Sequence, residues 1–311
     1  MTCRGGRRRF LERGGVLVGI VGVALAMGAE ARAQDAPLFV ATPLTEANSF
    51  TSGIEGPACD VDGTVYAVNF ARQGTIGRVT ADGAAELFAE LPEGSIGNGI
   101  RFGPDGQLFV ADYPQHNVLT IDRATRVIRV HAHDATMNQP NDLSIVPDGT
   151  LYASDPNWAE GTGQLWRIGP DGEATRLAEG MGTTNGIDVS PDGRTLYVGE
   201  SAQRRILAID LTDAGLGDRR VIARFPDFSL DGLRVDIDGN LYVTRHGAGV
   251  VLKMTPEGRV LQEIEVLGER PSNICIGGPD GRTAVVTEME HGRLVTFRID
   301  RPGLAWSRLP R

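Results

Sequence analysis

Six side chains that carry oxygen donors stand at the same place in six copies of a short sequence pattern. Each lies eight residues before the glycine of a turn: Glu55, Asn98, Asn141, Asn185, Asp231 and Asn273. If the fold brings them together, they form a ring of carboxylate and carboxamide oxygens with no histidine or cysteine in it. Ca²⁺ takes about six to eight such ligands, whereas Zn²⁺ prefers nitrogen and sulfur. The pattern predicts a site for a hard divalent cation, with Ca²⁺ favoured.

The turn glycines that define the copies recur every 42 to 46 residues: Gly63, Gly106, Gly149, Gly193, Gly239 and Gly281. A period of about 40 residues indicates a repeat architecture. In each copy an apolar-alternating run enters an Asp-Gly turn and a second alternating run leaves it, which is typical of a β-hairpin. A third strand and a weaker fourth follow. Four strands in six copies predict an all-β fold, a six-bladed β-propeller with four-stranded blades.

The first strands of propeller blades line the central channel, and equivalent positions lie at the same depth. The six side chains are therefore expected to meet at one mouth of that channel. A second interpretation stays open, because Asn and Asp also cap loops through local bonds to the backbone. Glu55, which precedes Gly56 and Pro57, fits that second interpretation poorly, since Glu is not a turn-forming residue.

Residues 1–33 are predicted to be an export signal that is removed. A positively charged start is followed by the apolar run from Val16 to Met27 and by an Ala-Arg-Ala cleavage pattern. Arg7 and Arg8 ahead of Phe10 and Leu11 favour the twin-arginine type, with an ordinary secretory signal as the alternative. The apolar run is shorter than the ~20 residues of a membrane span. The mature protein is expected to be periplasmic or secreted, without a membrane segment.

Residues 34–311 are predicted to form a single propeller domain. The segment PLFVATPL at 37–44 suits a strand that closes the ring, and LAWSRLP near the carboxyl terminus competes for that role. The predicted leader carries a net charge of +4, so its removal takes the chain from −9 to about −13. Such an acidic chain is not expected to bind nucleic acid. Cys59 and Cys275 are expected to be buried free thiols, although an oxidising compartment would allow a bridge.

The repeat motifs resemble the family of gluconolactonase, regucalcin (senescence marker protein) and diisopropyl-fluorophosphatase-like propellers. The resemblance covers nearly all of the mature chain. It rests on EGP at Glu55, PNDL at Asn141, TNGIDVSPDGRTLYV at Asn185 and LDGLRVDIDGNLYV at Asp231. It implies that these four residues hold a divalent metal, Ca²⁺ in the first place, with Mg²⁺, Mn²⁺ or Zn²⁺ as substitutes.

The resemblance also implies hydrolysis of sugar or other small lactones. A cation in an open site polarises a carbonyl and lowers the pKa of water. Asp231 is then both ligand and candidate general base. Arg245 is expected to support a developing oxyanion and His246 to donate a proton, although His246 is equally well read as a solvent-exposed loop histidine. No Gly-x-Ser-x-Gly motif suggests a serine hydrolase.

The expected partner is a small-molecule substrate, and no protein partner is evident. Its contacts are assigned to a polar pocket with aromatic walls: Asn98, Tyr113, Trp158 and Asn273. The loops ASDPNWAEGTG and VTRHGAG depart from better-known sugar lactonases, which leaves gluconolactone itself in doubt.

Three other functions compete with the lactonase. Phosphotriester or fluorophosphate hydrolysis would use the same metal site. A non-catalytic propeller would not be expected to place Glu55, Asn141, Asn185 and Asp231 together. A quinone-dependent sugar dehydrogenase is disfavoured, because the sequence shows no basic cradle for the cofactor.

Overall fold

The computed structural model describes residues 1–2 and 36–310. The predicted export signal therefore lies almost wholly outside the described residues, and it stays a prediction. The compact unit that carries the fold spans Leu38–Arg311. Within the described ranges, no helix is long and apolar enough to cross a bilayer.

The described residues form six antiparallel four-stranded sheets, which are the blades of a propeller. Blade 1 comprises β2 (Phe50–Cys59), β3 (Val65–Phe70), β4 (Thr75–Val79) and β5 (Ala85–Glu90). Blade 2 comprises β6 (Gly97–Phe102), β7 (Leu108–Asp112), β8 (Asn117–Ile121) and β9 (Ile128–His133). Blade 3 comprises β10 (Leu143–Ile145), β11 (Leu151–Asn157), β12 (Thr162–Ile168) and β13 (Ala174–Met181).

The remaining blades follow the same order from the axis outward. Blade 4 comprises β14 (Thr184–Val189), β15 (Thr195–Glu200), β16 (Arg205–Thr212) and β17 (Gly215–Arg224). Blade 5 comprises β18 (Leu233–Val235), β19 (Leu241–Arg245), β20 (Val250–Met254) and β21 (Val260–Glu265). Blade 6 comprises β22 (Pro271–Gly277), β23 (Thr283–Glu288), β24 (Arg293–Arg298) and β1 (Thr42–Pro43). The described residues add a short helix, α1 (Leu304–Ser307).

The predicted six-bladed, four-stranded propeller is confirmed. The six turn glycines that defined the repeats all have positive φ, which glycine adopts without steric cost. The aspartate before the glycine completes the turn, since Asp148 Oδ1 accepts a hydrogen bond from the backbone N–H of Thr150 at 2.8 Å. The innermost strands contact one another around a closed ring, and the apolar cores lie between neighbouring blades.

The amino-terminal segment closes the ring. Strand β1 is the outermost strand of blade 6, where Thr42 and Pro43 pair with Thr296 and Val295 of β24. The competing carboxyl-terminal segment instead forms α1, whose Leu304 and Trp306 are buried. The chain outside β24 therefore comes from residues 37–44, as the alternating pattern there had suggested.

Cys59 and Cys275 form a disulfide, so the expectation of free thiols is wrong. Their Cα atoms lie 5.6 Å apart although the residues are separated by 216 positions in the chain. Both residues lie on innermost strands, Cys59 on β2 and Cys275 on β22, and these two strands are neighbours at the joint between blades 1 and 6. Sequence gives no measure of that distance, which only ring closure determines.

A buried ionic cluster joins three blades inside the channel. Asp142 is fully buried and accepts hydrogen bonds from Arg101 at 2.8 Å and from Arg234 at 2.7 and 3.0 Å. The two guanidinium groups are themselves only 5% and 4% exposed. Burial raises the pKa of Asp142 to about 6 even though Arg101 opposes the shift. The cluster links blades 2, 3 and 5 through paired buried charges.

We expect the Asp142→Ala variant to lose about 3–5 kcal/mol of unfolding free energy at pH 7, because two buried guanidinium groups lose their carboxylate. Asp210→Ala is the matched control: it removes an exposed pair with Arg220 and should cost less than about 1 kcal/mol. Urea unfolding followed by circular dichroism compares the two. Equal losses would show that the buried cluster contributes no more than a surface ion pair.

Candidate active site

A cavity of about 360 Å³ opens at one end of the channel. Five of the six ring residues line it: Glu55, Asn98, Asn141, Asn185 and Asp231. The sixth, Asn273, is fully buried and does not line the cavity. The predicted convergence at one mouth therefore occurs for five positions, and four of these are the residues that the resemblance assigns to a metal.

The ring residues project toward the axis because the strand ladder is irregular where they stand. Register shifts interrupt the pairing of the first two strands around Glu55, Asn98 and Asn185. Asn141 and Asp231 precede strands β10 and β18, so they lie just ahead of the ladder. Each side chain is thus free of the regular alternation that would direct it into a blade.

The glycine that follows a ring residue allows the next blade to approach. The backbone N–H of Gly99 donates to the carbonyl of Asn141 at 2.8 Å, and that of Gly186 donates to the carbonyl of Asp231 at 2.9 Å. A Cβ atom at Gly186 would lie 2.4 Å from the carbonyl oxygen of Asp231. The glycine of each Asn-Gly dipeptide therefore allows a backbone hydrogen bond to the next blade. The capping interpretation explains the dipeptide by a local turn and does not account for this contact.

Hydrogen bonds fix the two sides of the site separately. Asn185 Nδ2 donates to Asp231 Oδ1 at 2.9 Å and to Ser201 Oγ at 3.0 Å, and Ser201 in turn donates to the carbonyl of Leu230. On the other side, Glu55 Oε2 accepts from the backbone N–H of Gly56 at 2.7 Å. These bonds orient one carboxylate from blade 1 and one from blade 5 toward the same cavity.

Asn273 contacts Glu55 from behind, so the structure does not place it in the cavity, where its predicted role in substrate binding would require it to lie. Its Nδ2 donates to Glu55 Oε2 at 3.1 Å, and its Oδ1 accepts from the backbone N–H of Ile274 at 2.9 Å. Both polar atoms of the side chain are thereby used inside the protein. The residue stands at the ring position, but its side chain contacts the neighbouring ring residue Glu55 and does not reach the cavity.

The two carboxylates that line the cavity are destabilised in their charged forms. Burial raises the pKa of Glu55 to about 7, and the charge of Asp142 adds to the shift. Burial also raises the pKa of Asp231 well above its ordinary value, and the nearby charge of Glu55 raises it further. A cation between them would relieve both effects, because it interacts favourably with the ionised forms.

The donor set fits a hard divalent cation. The carboxamide oxygens Oδ1 of Asn98 and Asn185 are buried and have no hydrogen-bond partner. Buried acceptors are nearly always satisfied in proteins, and an unsatisfied one calls for an explanation such as an ion. Together with Glu55 and Asp231 they supply oxygens alone, which suits Ca²⁺ better than Zn²⁺.

The walls of the cavity combine aromatic and polar side chains. Tyr113, Trp158 and His246 line it, as predicted, and Trp158 is 40% exposed at the rim. Burial, helped by the charge of Arg270, lowers the pKa of His246. The imidazole is therefore neutral at pH 7, which suits a proton acceptor better than the predicted donor.

Arg245 does not line the cavity, so the structure does not place it where an oxyanion would form. Its Nη2 donates to the carbonyl of Asp227 at 2.7 Å and to the carboxylate of Asp227 at 3.0 Å. Its guanidinium lies 4.1 Å from the centroid of the Phe225 ring. The side chain anchors the loop before Asp231 and leaves the neighbouring His246 to face the cavity.

Arg245 belongs to a set of buried residues that end the second strand of a blade and hold loop backbone. In four other blades, a carboxylate near the end of the second strand accepts hydrogen bonds from backbone N–H groups of a loop: Asp112, Asp155, Glu200 and Glu288. In four blades the residue after this anchor lines the cavity: Tyr113, Ser201, His246 and Met289. Adjacent residues of a strand face opposite sides, and this register is the signal that would have assigned Ser201 and Met289 to the site from sequence.

Comparisons with known proteins identify the family of the chain. The family described as SMP-30/Gluconolactonase/LRE-like region matches residues 54–290, a range that includes all six ring residues. The chain belongs to this family. A gluconolactonase from Zymomonas mobilis is 27% identical over 289 residues, which is 81% of each chain. Regucalcin from Xenopus laevis is 28% identical over 50% of this chain and 56% of its own length.

Solved structures show the same fold for members of the family. A calcium-binding regucalcin from Agrobacterium tumefaciens superposes with a TM-score of 0.73 at 23% identity, covering 84% of this chain and 94% of its own. A gluconolactonase from Xanthomonas campestris gives a TM-score of 0.73 at 23% identity, covering 88% and 93%. The similarity extends over the whole propeller.

Without divalent cations, the protein should lose stability as pH rises from about 4.5 to about 7. The folded pKa of Glu55 is raised, so the native state binds more protons than the unfolded state in this range and its stability falls with pH. Thermal unfolding in chelator measures the slope. Added Ca²⁺ should reduce this dependence of stability on pH, and so should the Glu55→Gln substitution. If the dependence is unchanged in Glu55→Gln, it arises from other groups such as Asp142.

Proposed function

We propose that this protein is a lactonase that depends on a divalent cation, Ca²⁺ in the first place. The observation that carries the proposal is the convergence of Glu55, Asn141, Asn185 and Asp231 on one cavity at the channel mouth, where Oδ1 of Asn185 is buried without a hydrogen-bond partner. The family of the chain supports the reaction class, since the relative from Zymomonas mobilis is named a gluconolactonase. A relative from Pseudomonas putida, 28% identical over 52% of this chain and 58% of its own length, is named a 6-deoxy-6-sulfogluconolactonase.

Glu55, Asn141, Asn185 and Asp231 would hold the cation. When bound, it supplies a Lewis acid that polarises the lactone carbonyl and lowers the pKa of water. Asn273 and Ser201 keep two of these ligands in place through the bonds to Glu55 and Asn185. The name of the Agrobacterium relative, a calcium-binding regucalcin, supports the choice of Ca²⁺.

Asp231 is the group proposed to accept the proton of the attacking water. Its carboxylate lines the cavity, and one of its oxygens is oriented by Asn185 at 2.9 Å. Opening of the lactone then breaks the ring C–O bond, and the proton held by Asp231 passes to the departing alkoxide. His246, neutral in the same cavity, is placed to take up the proton that the new carboxylic acid releases.

The cavity walls favour a small uncharged substrate. No arginine or lysine is among the side chains that line this cavity, and a divalent cation balances the charges of Glu55 and Asp231. Asn98, with its unpaired carboxamide oxygen, is placed to accept a hydrogen bond from a substrate hydroxyl. Trp158 and Tyr113 present aromatic faces to one side of a ring-shaped ligand.

The place of action is proposed to be the periplasm or the exterior of the cell. Support comes from the Cys59–Cys275 disulfide, because such bonds persist in oxidising compartments, and from the leader pattern of the sequence. Nucleic acid, a membrane and a protein partner have no part in the proposed function.

The activity test uses the mature protein with a panel of γ- and δ-lactones, in Ca²⁺ and in chelator. Turnover should require the cation, and Asp231→Ala should lower kcat/KM by roughly 10²–10⁴-fold because a ligand and a proton acceptor are both lost. Asp213→Ala is the matched control, since that carboxylate is exposed in the turn between β16 and β17. Lactone hydrolysis that persists in chelator would contradict the cation requirement.

Phosphotriesters belong in the same panel, because they need the same electrophilic oxygen on a cation. Cation binding with phosphotriester turnover and no lactone turnover would replace the proposed reaction by the rival one. Absence of cation binding would instead support the capping interpretation of the ring residues.

Trp158→Ala tests the aromatic wall. Since Trp158 lies at the rim, 40% exposed, its removal should raise KM several-fold with little change in kcat, as expected for uniform binding. Steady-state kinetics with the best lactone of the panel measures both constants. A fall in kcat at constant KM would place Trp158 in contact with the transition state alone.

A further inference from the structure

The joint between blades 1 and 6 differs from the other joints of the propeller. At this joint the two ends of the ring meet, and the closing strand β1 contributes only two paired residues, Thr42 and Pro43. The outermost strands of the other blades are six to ten residues long. The Cys59–Cys275 disulfide crosses this joint near the axis and joins β2 to β22.

Glu55 lies on the segment that this joint must hold in place. The pairing of β2 with β3 shifts register between Phe50 and Glu55 and again between Glu55 and Ala58. Gly56 has a φ of 53°, so the backbone leaves the extended conformation next to the carboxylate. The ladder of blade 1 alone therefore fixes the position of Glu55 poorly.

Blade 6 supplies the contacts that the ladder of blade 1 lacks. Ser272 Oγ donates to the carbonyl of Ile54 at 2.9 Å, and Asn273 Nδ2 donates to Glu55 Oε2 at 3.1 Å. On the carboxyl-terminal side of both cysteines, the backbone N–H of Gly278 donates a hydrogen bond to the carbonyl of Asp60 at 2.9 Å. A Cβ atom at Gly277 would lie 2.5 Å from Cβ of Cys59, so the two strands approach closely here.

We propose that the Cys59–Cys275 disulfide is a positioning element of the cation site. It keeps β22 close enough to β2 for Asn273 to orient Glu55, and breaking it allows the joint to open and Glu55 to move. This inference rests on the cation site of the proposed function. Cation affinity, and with it activity, then depends on an oxidising environment, which links the chemistry of the site to the compartment where the disulfide forms.

The primary measurement is a Ca²⁺ titration by isothermal calorimetry of the oxidised protein and of Cys59→Ala/Cys275→Ala. The double variant should bind Ca²⁺ roughly 10- to 100-fold more weakly, the range found when groups that orient metal ligands are removed. Asn273→Ala, which keeps the disulfide, should lose affinity to a similar extent. Near-ultraviolet circular dichroism at the titration temperature establishes that each variant is folded.

A mutant cycle with Glu55→Gln separates positioning from general destabilisation. In that background Glu55 can no longer act as an anionic ligand, so removal of the disulfide should change the Ca²⁺ dissociation constant less than about 2-fold. Equal losses in the two backgrounds, or no loss in the wild-type background, would overturn the proposal. Tb³⁺ luminescence extends the measurement to weak binding.

Ile209→Val is the matched control for general destabilisation. Ile209 lies on β16, the third strand of blade 4, and is fully buried in an apolar core away from the cavity, so loss of one methyl group there should leave Ca²⁺ affinity unchanged. If the double cysteine variant does not fold, reduction of the folded wild-type protein replaces it. Oxidised protein that binds no Ca²⁺ would refute the proposed function as well, whereas equal binding by oxidised and reduced protein would refute this inference alone.

Discussion

The burial of two carboxylates at the mouth of the propeller channel is the constraint on which the rest of the site depends. Glu55 and Asp231 line one cavity, and burial raises the pKa of each. Two like charges in one poorly solvated place are unfavourable unless a cation or a proton compensates them. The carboxamide oxygen Oδ1 of Asn185, which is buried without a hydrogen-bond partner, is a further donor that a divalent cation would satisfy.

In this propeller, the residues that hold the loops are different from the residues that line the cavity. Buried polar residues at the ends of the second strands, Asp112 and Glu200 among them, bind loop backbone. The next residue of the chain then faces the cavity, as Tyr113 and Ser201 do. A rigid repeat thus presents side chains that are free to differ between blades, which is how one fold serves different substrates.

A buried ionic cluster lies inside the channel, between the cavities at its two ends. Asp142 follows the cavity residue Asn141 in the chain and binds Arg101 and Arg234, and both arginines reach a second cavity of about 220 Å³ at the other end. Helix α1 lines that end with Leu304 and Trp306. A buried ion pair is tolerated when both partners are present and hydrogen-bonded, as they are here.

The sequence by itself determined the fold and most of the ring, because a fixed period and Asp-Gly turns are local properties that repeat six times. It also predicted that Glu55, Asn141, Asn185 and Asp231 lie at one mouth of the channel, since equivalent positions in a propeller lie at the same depth along the channel. Only the tertiary structure decided that Arg245 turns to Asp227, that Asn273 lies behind Glu55, and that Cys59 meets Cys275. These outcomes depend on distances across blade joints, which no local pattern encodes.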